Sequence, residues 1–145
     1  DLHSFPTRRS SDLPTALQMV EKERDFAGVW AELEPYLRGR VVVAHNAPFD
    51  MGVLRASLAA HHLPPPQFYQ CCTVQISRRV WPELPNHKLN TVGDFLSIAF
   101  HHHDALEDAR TCAAIPVAAA KMRGARDMAE LAEMLRVPIR PFAMG

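Results

Sequence analysis

The sequence has little of several features that assign a protein to a class at once. No apolar run among its 145 residues approaches the ~18 residues that a membrane-spanning helix needs. Basic and acidic residues number 16 each, so the formal charge is zero. This balance argues against a protein that holds nucleic acid by bulk electrostatic attraction, because such proteins are usually basic. The N-terminal stretch also lacks the apolar core of a signal peptide.

Cysteine is scarce as well. The three cysteines include an adjacent pair, Cys71 and Cys72, and their spacing forms no disulfide framework and no zinc framework. Neither an HExxH nor a CxxC motif is present. We therefore expect reduced thiols, a cytoplasmic location and no association with a membrane.

What is present indicates a single α/β domain. Apolar residues make up 48% of the sequence, which is ordinary for a globular chain of this length. Val41 to Ala44 is a continuous apolar run between turn residues and predicts a strand inside a sheet. Further strand and helix patterns alternate along the chain, which is typical of an α/β layer. We predict a second strand over 68–73 and helices over 26–39, 48–62, 74–81, 89–98 and 127–136.

The stretch HHHDALEDARTCA, from His101 to Ala113, places histidines and carboxylates at the start of a predicted helix. Asp104 and Glu107 have the spacing of an N-cap and its capping box. Ala105, Ala109, Cys112, Ala113 and Ala120 are predicted to share an apolar face. Asp108 would lie at the edge of that face, where a carboxylate costs several kcal/mol unless something such as a metal ion offsets it. The alternative is that Asp108 only flanks the face and reaches water.

A second stretch, VVVAHNAPFDMGVL from Val41 to Leu54, predicts a buried strand, a tight turn and a helix that opens at Pro48. Asp50 is predicted to face inward in this helix, together with Val53, Leu54, Ser57 and Ala60. It follows the C-terminal end of a strand, which is where ligands of open α/β sheets bind. Either aspartate alone could be structural. Two inward carboxylates near helix N-termini, with a histidine run beside one, favour a shared site.

These residues carry a resemblance to a known family. AHNAPFD resembles the second motif of the DnaQ-like (DEDD) 3′→5′ exonucleases. His103 and Asp108 have the H-x(4)-D spacing of the third motif in the histidine subtype (DEDDh). The intervening CTVQISRRVWPELPNHKLNTVGDFL resembles the bacterial branch related to the DNA polymerase III epsilon subunit. The resemblance spans about Thr15 to Ala120.

The resemblance implies an RNase H-like fold and a metal-dependent 3′→5′ exonuclease. Asp50 and Asp108 would hold two divalent ions, Mg²⁺ or Mn²⁺, and His103 would be the general base. Asn46 and Phe49 would touch the terminal nucleotide, although a turn-stabilising Asn and a core Phe are equally consistent with the sequence. The expected partners are nucleic acid, with the 3′ end of single-stranded DNA favoured over RNA, and a DNA polymerase subunit.

One departure from the family is clear. The family's first motif, an Asp-x-Glu pair on the first strand of the sheet, has no counterpart upstream of Val41. Residues 1–13 are polar and aperiodic and resemble a translated sequencing adapter, so we expect a non-native segment there, with a disordered basic arm as the alternative. We expect an exonuclease domain fragment over 14–123, whose first three strands are missing, and a C-terminal helix and tail over 124–145. Nuclease activity of the chain as written should then be low.

Other interpretations stay open at this stage. The chain could be a non-catalytic module of RNase H-like fold that binds nucleic acid or a polymerase. A zinc site built from His101, His102, His103 and Asp104 is a weaker alternative, since consecutive residues cannot all converge on one ion. Arg78, Arg79, His87 and Lys88 surround Trp81 and could line a groove for a phosphate backbone beside a stacking surface. They could equally be a solvated helix face with a core Trp.

Overall fold

The computed structural model describes residues 25–98 and 104–145. Helices and strands alternate through most of these residues, as the sequence predicts. The helices are α1 (Phe26–Leu37), α2 (Ala47–Ala60), α3 (Thr73–Val80), α4 (Leu89–Phe95), α5 (Ala105–Arg123) and α6 (Met128–Leu135). The strands are β1 (Val41–Ala44), β2 (Tyr69–Cys72) and β3 (Arg140–Pro141). No helix in these ranges is both long and apolar enough to cross a membrane.

The sheet is built around β2. Strand β1 pairs with β2 in parallel, from Val41 opposite Tyr69 to Ala44 opposite Cys72. Strand β3 pairs antiparallel on the other side of β2, so that the order is β1-β2-β3. The sequence did not predict β3. It has two residues and one of them is Pro141, which lacks the N–H that a ladder needs and is therefore confined to an edge.

Side chains of β1 alternate between two hydrophobic clusters, one on each face of the sheet. Val41 and Val43 pack against the larger cluster, whereas Val42 and Ala44 pack against the smaller one. The larger cluster unites α3, α4, α5 and α6 around side chains such as Ile115. The smaller cluster unites α1 and α2 with the C-terminal segment. A sheet covered on both faces explains the uninterrupted apolar run in β1.

The predicted inward face of α2 is wrong in most of its members, although Leu54 does pack against the smaller cluster. The buried residues of this helix are Ala47, Met51 and Leu58, whereas Val53 is 52% exposed. Met51 and Leu58 belong to the smaller cluster, and the helix is turned so that these larger side chains meet the sheet. Asp50 consequently lies on the exposed side of the helix rather than toward the core.

The predicted face of α5 also needs correction. Asp104 does cap the helix, since its carboxylate accepts from the N–H groups of Leu106 at 2.9 Å and Glu107 at 3.3 Å. The buried stripe, however, contains Ile115 and the polar Thr111 in place of the exposed alanines 105, 109 and 113. Burying the larger isoleucine removes more apolar area from water than burying an alanine does.

Candidate active site

The turn between β1 and α2 presents Asp50 at the C-terminal end of the sheet. Asn46 has a left-handed backbone with φ of 74°, a conformation that Asn tolerates better than most residues. Its carbonyl accepts from the Phe49 N–H at 3.1 Å, which closes the first turn of α2. Asp50 is in that first turn, where the partial positive charge of the helix N-terminus favours a carboxylate. Asn46 therefore stabilises the turn. A contact between Asn46 and substrate stays a prediction.

Phe49 is not a core residue. Its side chain is 68% exposed, in the same helical turn as Asp50. Val53, one turn further along α2, is 52% exposed. The two side chains give this side of the helix an apolar surface beside the carboxylate. Such a surface can stack against a nucleobase, although a contact between Phe49 and substrate stays a prediction.

Asp50 lies in a partly desolvated position despite its exposure. Neighbouring protein atoms that replace water raise the pKa of its carboxyl, against the opposing effects of its own backbone N–H and of His45. A carboxylate that has lost part of its hydration gains from a nearby cation more than a fully hydrated one does. This environment suits a carboxylate that accepts a metal ion.

Asp108 lies in the first turn of α5 and is partly buried. Cys112 and Ile115, which follow it by one and two helical turns, are buried, so Asp108 lies at the solvent end of the buried stripe. Its neighbour Glu107 is occupied by an ion pair with Arg110, at 3.2 Å between Oε1 and Nη1. The H-x(4)-D partner His103 lies outside the described residues, as do His101 and His102, so the base assignment and the zinc alternative stay predictions.

The two aspartates approach the end of β1 from opposite faces of the sheet. Helix α2 packs on one side of the sheet and α5 packs on the other, and both contact β1. Burial raises the pKa of the Cys112 thiol to about 11, and the negative charge of Asp50 contributes to this rise. Cys112 is four residues beyond Asp108 on α5, which is about one helical turn. A common site for the two carboxylates stays a prediction.

A hydrogen-bond network that the sequence did not reveal lies beneath these carboxylates. His45, directly after β1, makes contacts of 2.8 Å between Nδ1 and Thr73 Oγ1 and of 2.6 Å between Nε2 and the His87 carbonyl. Thr73 Oγ1 is also 3.5 Å from Cys112 Sγ. On the other side, His87 Nδ1 is 3.1 Å from Ser77 Oγ. The only signal in the sequence was the position of His45 inside AHNAPFD, because its partners Thr73 and His87 lie 28 and 42 positions away along the chain.

The predicted groove over residues 78–88 is wrong in one part, which is the stacking surface assigned to Trp81. Trp81 is 2% exposed and contacts Phe95 edge to face, with ring centroids 6.0 Å apart, so it is a core residue and no stacking surface. Arg78 and Lys88 are exposed. Arg78 is near enough to His45 to lower the pKa of that imidazole. Contact between these exposed cations and phosphate stays a prediction.

The donors fit a hard divalent ion in kind. Asp50 and Asp108 offer carboxylate oxygens, which Mg²⁺ and Mn²⁺ prefer. Within residues 25–98 and 104–145, no group of three or more His, Cys, Asp or Glu side chains is arranged to hold a metal. The described residues would thus supply part of a coordination shell, to which Asp50 and Asp108 contribute.

Comparison with known proteins shows the family to which the chain belongs. A family model described as RNase T exonuclease matches residues 14–115. The chain therefore belongs to this exonuclease family, and the resemblance to DnaQ-like exonucleases is confirmed. The chain also resembles a solved structure of exonuclease X in complex with 5′ overhanging duplex DNA, with a TM-score of 0.52 and 24% identity over 88% of this chain and 77% of that one. This likeness supports the predicted RNase H-like fold.

Among proteins of known sequence, the relatives include PolC-type DNA polymerase III of two bacteria. The enzyme from Caldanaerobacter subterraneus subsp. tengcongensis is 35% identical over 105 residues, which is 72% of this chain and 7% of that protein. The enzyme from Streptococcus thermophilus is 33% identical over 91 residues, or 62% of this chain and 6% of that protein. The chain thus corresponds to a small part of each of these polymerases.

Proposed function

We propose that this domain is a metal-dependent 3′→5′ exonuclease that removes nucleotides from the 3′ end of single-stranded DNA. The observation that carries the proposal is the placement of Asp50 and Asp108 in the first turns of two helices that contact β1 from opposite faces of the sheet. DNA is favoured over RNA because the exonuclease X structure is a complex with DNA and the PolC-type relatives described above are DNA polymerases.

Phosphodiester hydrolysis requires an activated water molecule, neutralisation of the charge that develops on phosphorus oxygens, and a stabilised leaving oxygen. Bound divalent ions supply the last two and acidify the attacking water. In this proposal the carboxylates of Asp50 and Asp108 hold the ions. His103, whose ordinary pKa is near ~6.5, takes the proton of the attacking water at neutral pH. Phe49 and Asn46 orient the terminal nucleotide.

The 145-residue chain itself should show nuclease activity near background, even in millimolar Mn²⁺. The sequence has no Asp-x-Glu pair upstream of Val41, and two carboxylates with water make a poor cage for Mg²⁺. Strong metal-dependent digestion by the purified chain would show that acids elsewhere in it replace the first motif. The competing function, a module that binds nucleic acid or a polymerase without catalysis, would follow if the parent gene encodes no Asp-x-Glu strand upstream.

The decisive experiment uses the full product of the parent gene, including any Asp-x-Glu strand that it encodes upstream, on DNA and RNA of one sequence labelled at the 5′ end. We expect a ladder of products shortened from the 3′ end and faster digestion of DNA. Asp108→Asn should weaken metal binding as well as turnover, because a neutral amide replaces an anionic oxygen. His103→Ala should leave metal affinity intact and lower kcat by ~10²–10⁴, the usual loss for a positioned base.

His101 and His102 are the matched controls for His103, since only His103 has the H-x(4)-D spacing to Asp108. Replacing either with Ala should change kcat little. The rate of the parent enzyme should rise through a neutral pKa, and His103→Ala should lose that rise. Equal damage from His102→Ala and His103→Ala would show that the register assigned to the third motif is wrong.

We also propose that the domain works beside a DNA polymerase. The support is that its relatives include PolC-type polymerases in which the matching segment is 6–7% of the protein. Copurification of the parent gene product with the replicative polymerase of the same cell would support this. Elution of the two proteins as separate species at micromolar concentrations would contradict it.

A further inference from the structure

We propose that His45 is a positioning residue for the exonuclease site, which holds the Asp50 turn in a fixed relation to the helix that carries Asp108. The inference rests on the proposed function, because it assigns His45 a role toward the metal ligands of that site. His45 itself would touch neither metal nor substrate. Its effect would pass through the hydrogen bonds that fix the end of β1.

The hydrogen bonds of His45 have one consistent arrangement when the imidazole is neutral. The carbonyl of His87 can only accept, so Nε2–H of His45 donates to it at 2.6 Å. Nδ1 then carries a lone pair and accepts from the Thr73 hydroxyl at 2.8 Å. The Thr73 oxygen can in turn accept from the Cys112 thiol at 3.5 Å. Every polar group in this chain of contacts therefore has a partner of the right kind.

The network connects the two helices that carry the acids. His45 lies five residues before Asp50, separated from it by the left-handed turn at Asn46. At the other end, Cys112 lies one helical turn beyond Asp108 in α5. Thr73 between them is completely buried at the start of α3. Two contacts, one on each side of the Thr73 hydroxyl, thus bridge from the Asp50 turn to the Asp108 helix.

A second branch fixes the loop between α3 and α4. Ser77 Oγ donates to the Val74 carbonyl at 2.9 Å, and it can therefore accept from His87 Nδ1 at 3.1 Å. His87 is held by its side chain to α3 and by its carbonyl to His45. The loop that presents Lys88 is consequently tied to the end of β1. An alanine at position 45 would release the Asp50 turn, the loop and the buried Thr73 hydroxyl together.

The test uses the 145-residue chain, labelled with ¹⁵N, and titrates it with Mn²⁺ alone at constant pH. Paramagnetic broadening of backbone N–H signals detects even weak Mn²⁺ binding and reports which residues lie near the ion. In the parent chain, signals around Asp50 and Asp108 should broaden together, at one apparent Kd. His45→Ala should raise that Kd by ~10–100-fold, the usual cost of losing a residue that orients metal ligands.

Two variants separate positioning from general destabilisation. His45→Gln keeps a donor for the His87 carbonyl and an acceptor for the Thr73 hydroxyl, so it should restore an affinity close to that of the parent. His62→Asn removes an exposed imidazole from a position with φ of 53°, which Asn tolerates, and should leave the Kd unchanged. Urea unfolding of each variant establishes that the titrations start from folded protein, so a change in Kd reports the site.

The outcomes distinguish this inference from the proposed function. If the parent shows no broadening near either aspartate, the proposed metal site and this inference both fail. If the parent binds Mn²⁺ at both aspartates and folded His45→Ala binds it equally well, only the inference fails. Should His45→Ala not fold, Thr73→Val decides, because it removes one link of the network without changing the outline of the side chain. An unchanged Kd in folded Thr73→Val would overturn the positioning role.

Discussion

The two faces of the sheet bury unequal cores. Among residues 25–98 and 104–145, the cluster around α3, α4, α5 and α6 contains eleven buried hydrophobic residues, whereas the cluster around α1 and α2 contains five. Each face carries one of the proposed metal ligands, Asp108 on the larger side and Asp50 on the smaller. The candidate site therefore joins a helix with extensive packing to one with much less.

This difference suggests that the two halves of the site are held by different means. Helix α5 contacts α3, α4, α6 and β1, so the backbone around Asp108 is fixed by packing. Helix α2 contacts β1 and β2 and leaves Phe49 and Val53 exposed. Regions with few buried apolar contacts open more readily than the rest of a domain. The hydrogen bonds of His45 lie at the junction of the two faces, where they can compensate for the weaker packing of the Asp50 side.

The largest expected effect comes from truncating a core residue on either face. Ile115 in the larger cluster and Leu58 in the smaller one are both fully buried. Truncation to Ala should cost ~2–5 kcal/mol in the free energy of unfolding, through lost burial and the cavity left behind. We expect Ile115→Ala to cost more, because the surrounding helices prevent the site from collapsing. Urea unfolding followed by circular dichroism measures both values.

The exposed Ala59 of α2 provides a control, since Ala59→Ser touches no cluster and should change stability little. A larger loss from Leu58→Ala than from Ile115→Ala would reverse the ranking of the two faces.

The next prediction concerns the order in which the faces open. Trp30 belongs to the smaller cluster and Trp81 to the larger one, so each tryptophan reports on one face. Trp30 is followed in the variant Trp81→Phe, and Trp81 is followed in the variant Trp30→Phe. The fluorescence of Trp30 should change at a lower urea concentration than the fluorescence of Trp81. The reason is that a thinly packed layer can open locally before the whole domain unfolds. Each fluorescence curve is compared with the circular dichroism of the same variant. Coincident transitions in both variants would show that the two faces unfold as one unit.

Much of this architecture could be predicted from sequence because its signals are local. The run Val41 to Ala44 gave the strand bounds correctly, and Asp104 and Asp127 cap α5 and α6. A continuous apolar run and a capping side chain each depend on residues within a few positions of one another. Pro116 lies inside α5, and the helix continues through it.

The errors have a physical cause in common. In α2 the predicted face included Val53 and in α5 it followed alanines, whereas the observed faces are set by larger side chains. These are Met51, Leu58 and Ile115. Which face of a helix is buried depends on the sheet or the helices that pack against it. A helical wheel contains no information about these neighbours. The contacts of His45 with Thr73 and His87 span 28 and 42 positions, so no local pattern could reveal them. The candidate acids Asp50 and Asp108, by contrast, could be selected from the motifs and their spacing alone.

Replacing one glycine on each face by alanine compares the two faces through a smaller expected change in the free energy of unfolding. A Cβ added at Gly93 in α4 would lie 3.0 Å from the Thr111 methyl group of α5, inside the packing of the larger face. Gly93→Ala should therefore destabilise the chain by ~1–3 kcal/mol, the usual cost of overpacking a core. For Gly52 in α2, the one atom of the described residues near that position is Arg55 Nη2, at 4.0 Å. Gly52→Ala should stabilise the chain by ~0.5–1 kcal/mol, because Ala favours a helix over Gly.

The two glycine variants should change the free energy of unfolding in opposite directions. Urea unfolding of both variants under one set of conditions checks this result. The double substitution Gly93→Ala with Thr111→Ser would remove the clashing methyl group and should recover part of the loss. Destabilisation by Gly52→Ala of the same size as by Gly93→Ala would contradict the conclusion that the outer side of α2 is free of packing constraints.

The smallest expected effect is a pH dependence at the junction of the faces. Burial lowers the pKa of His45 below 6.5, against the opposing influence of its bond to the His87 carbonyl and of Asp50. The folded state therefore binds this proton less readily than the unfolded state does. Its contribution to stability is complete above the unfolded pKa, near ~6.5, and is lost as pH falls toward the lower folded pKa. The free energy of unfolding of the parent should accordingly decrease between pH ~7.5 and ~5.5 relative to that of His45→Gln, which cannot titrate there.

His62→Asn, which removes an exposed histidine, should retain the decrease. Equilibrium urea unfolding at closely spaced pH values measures the difference, and a parent that gains stability relative to His45→Gln on acidification would show that the folded protein favours the imidazolium.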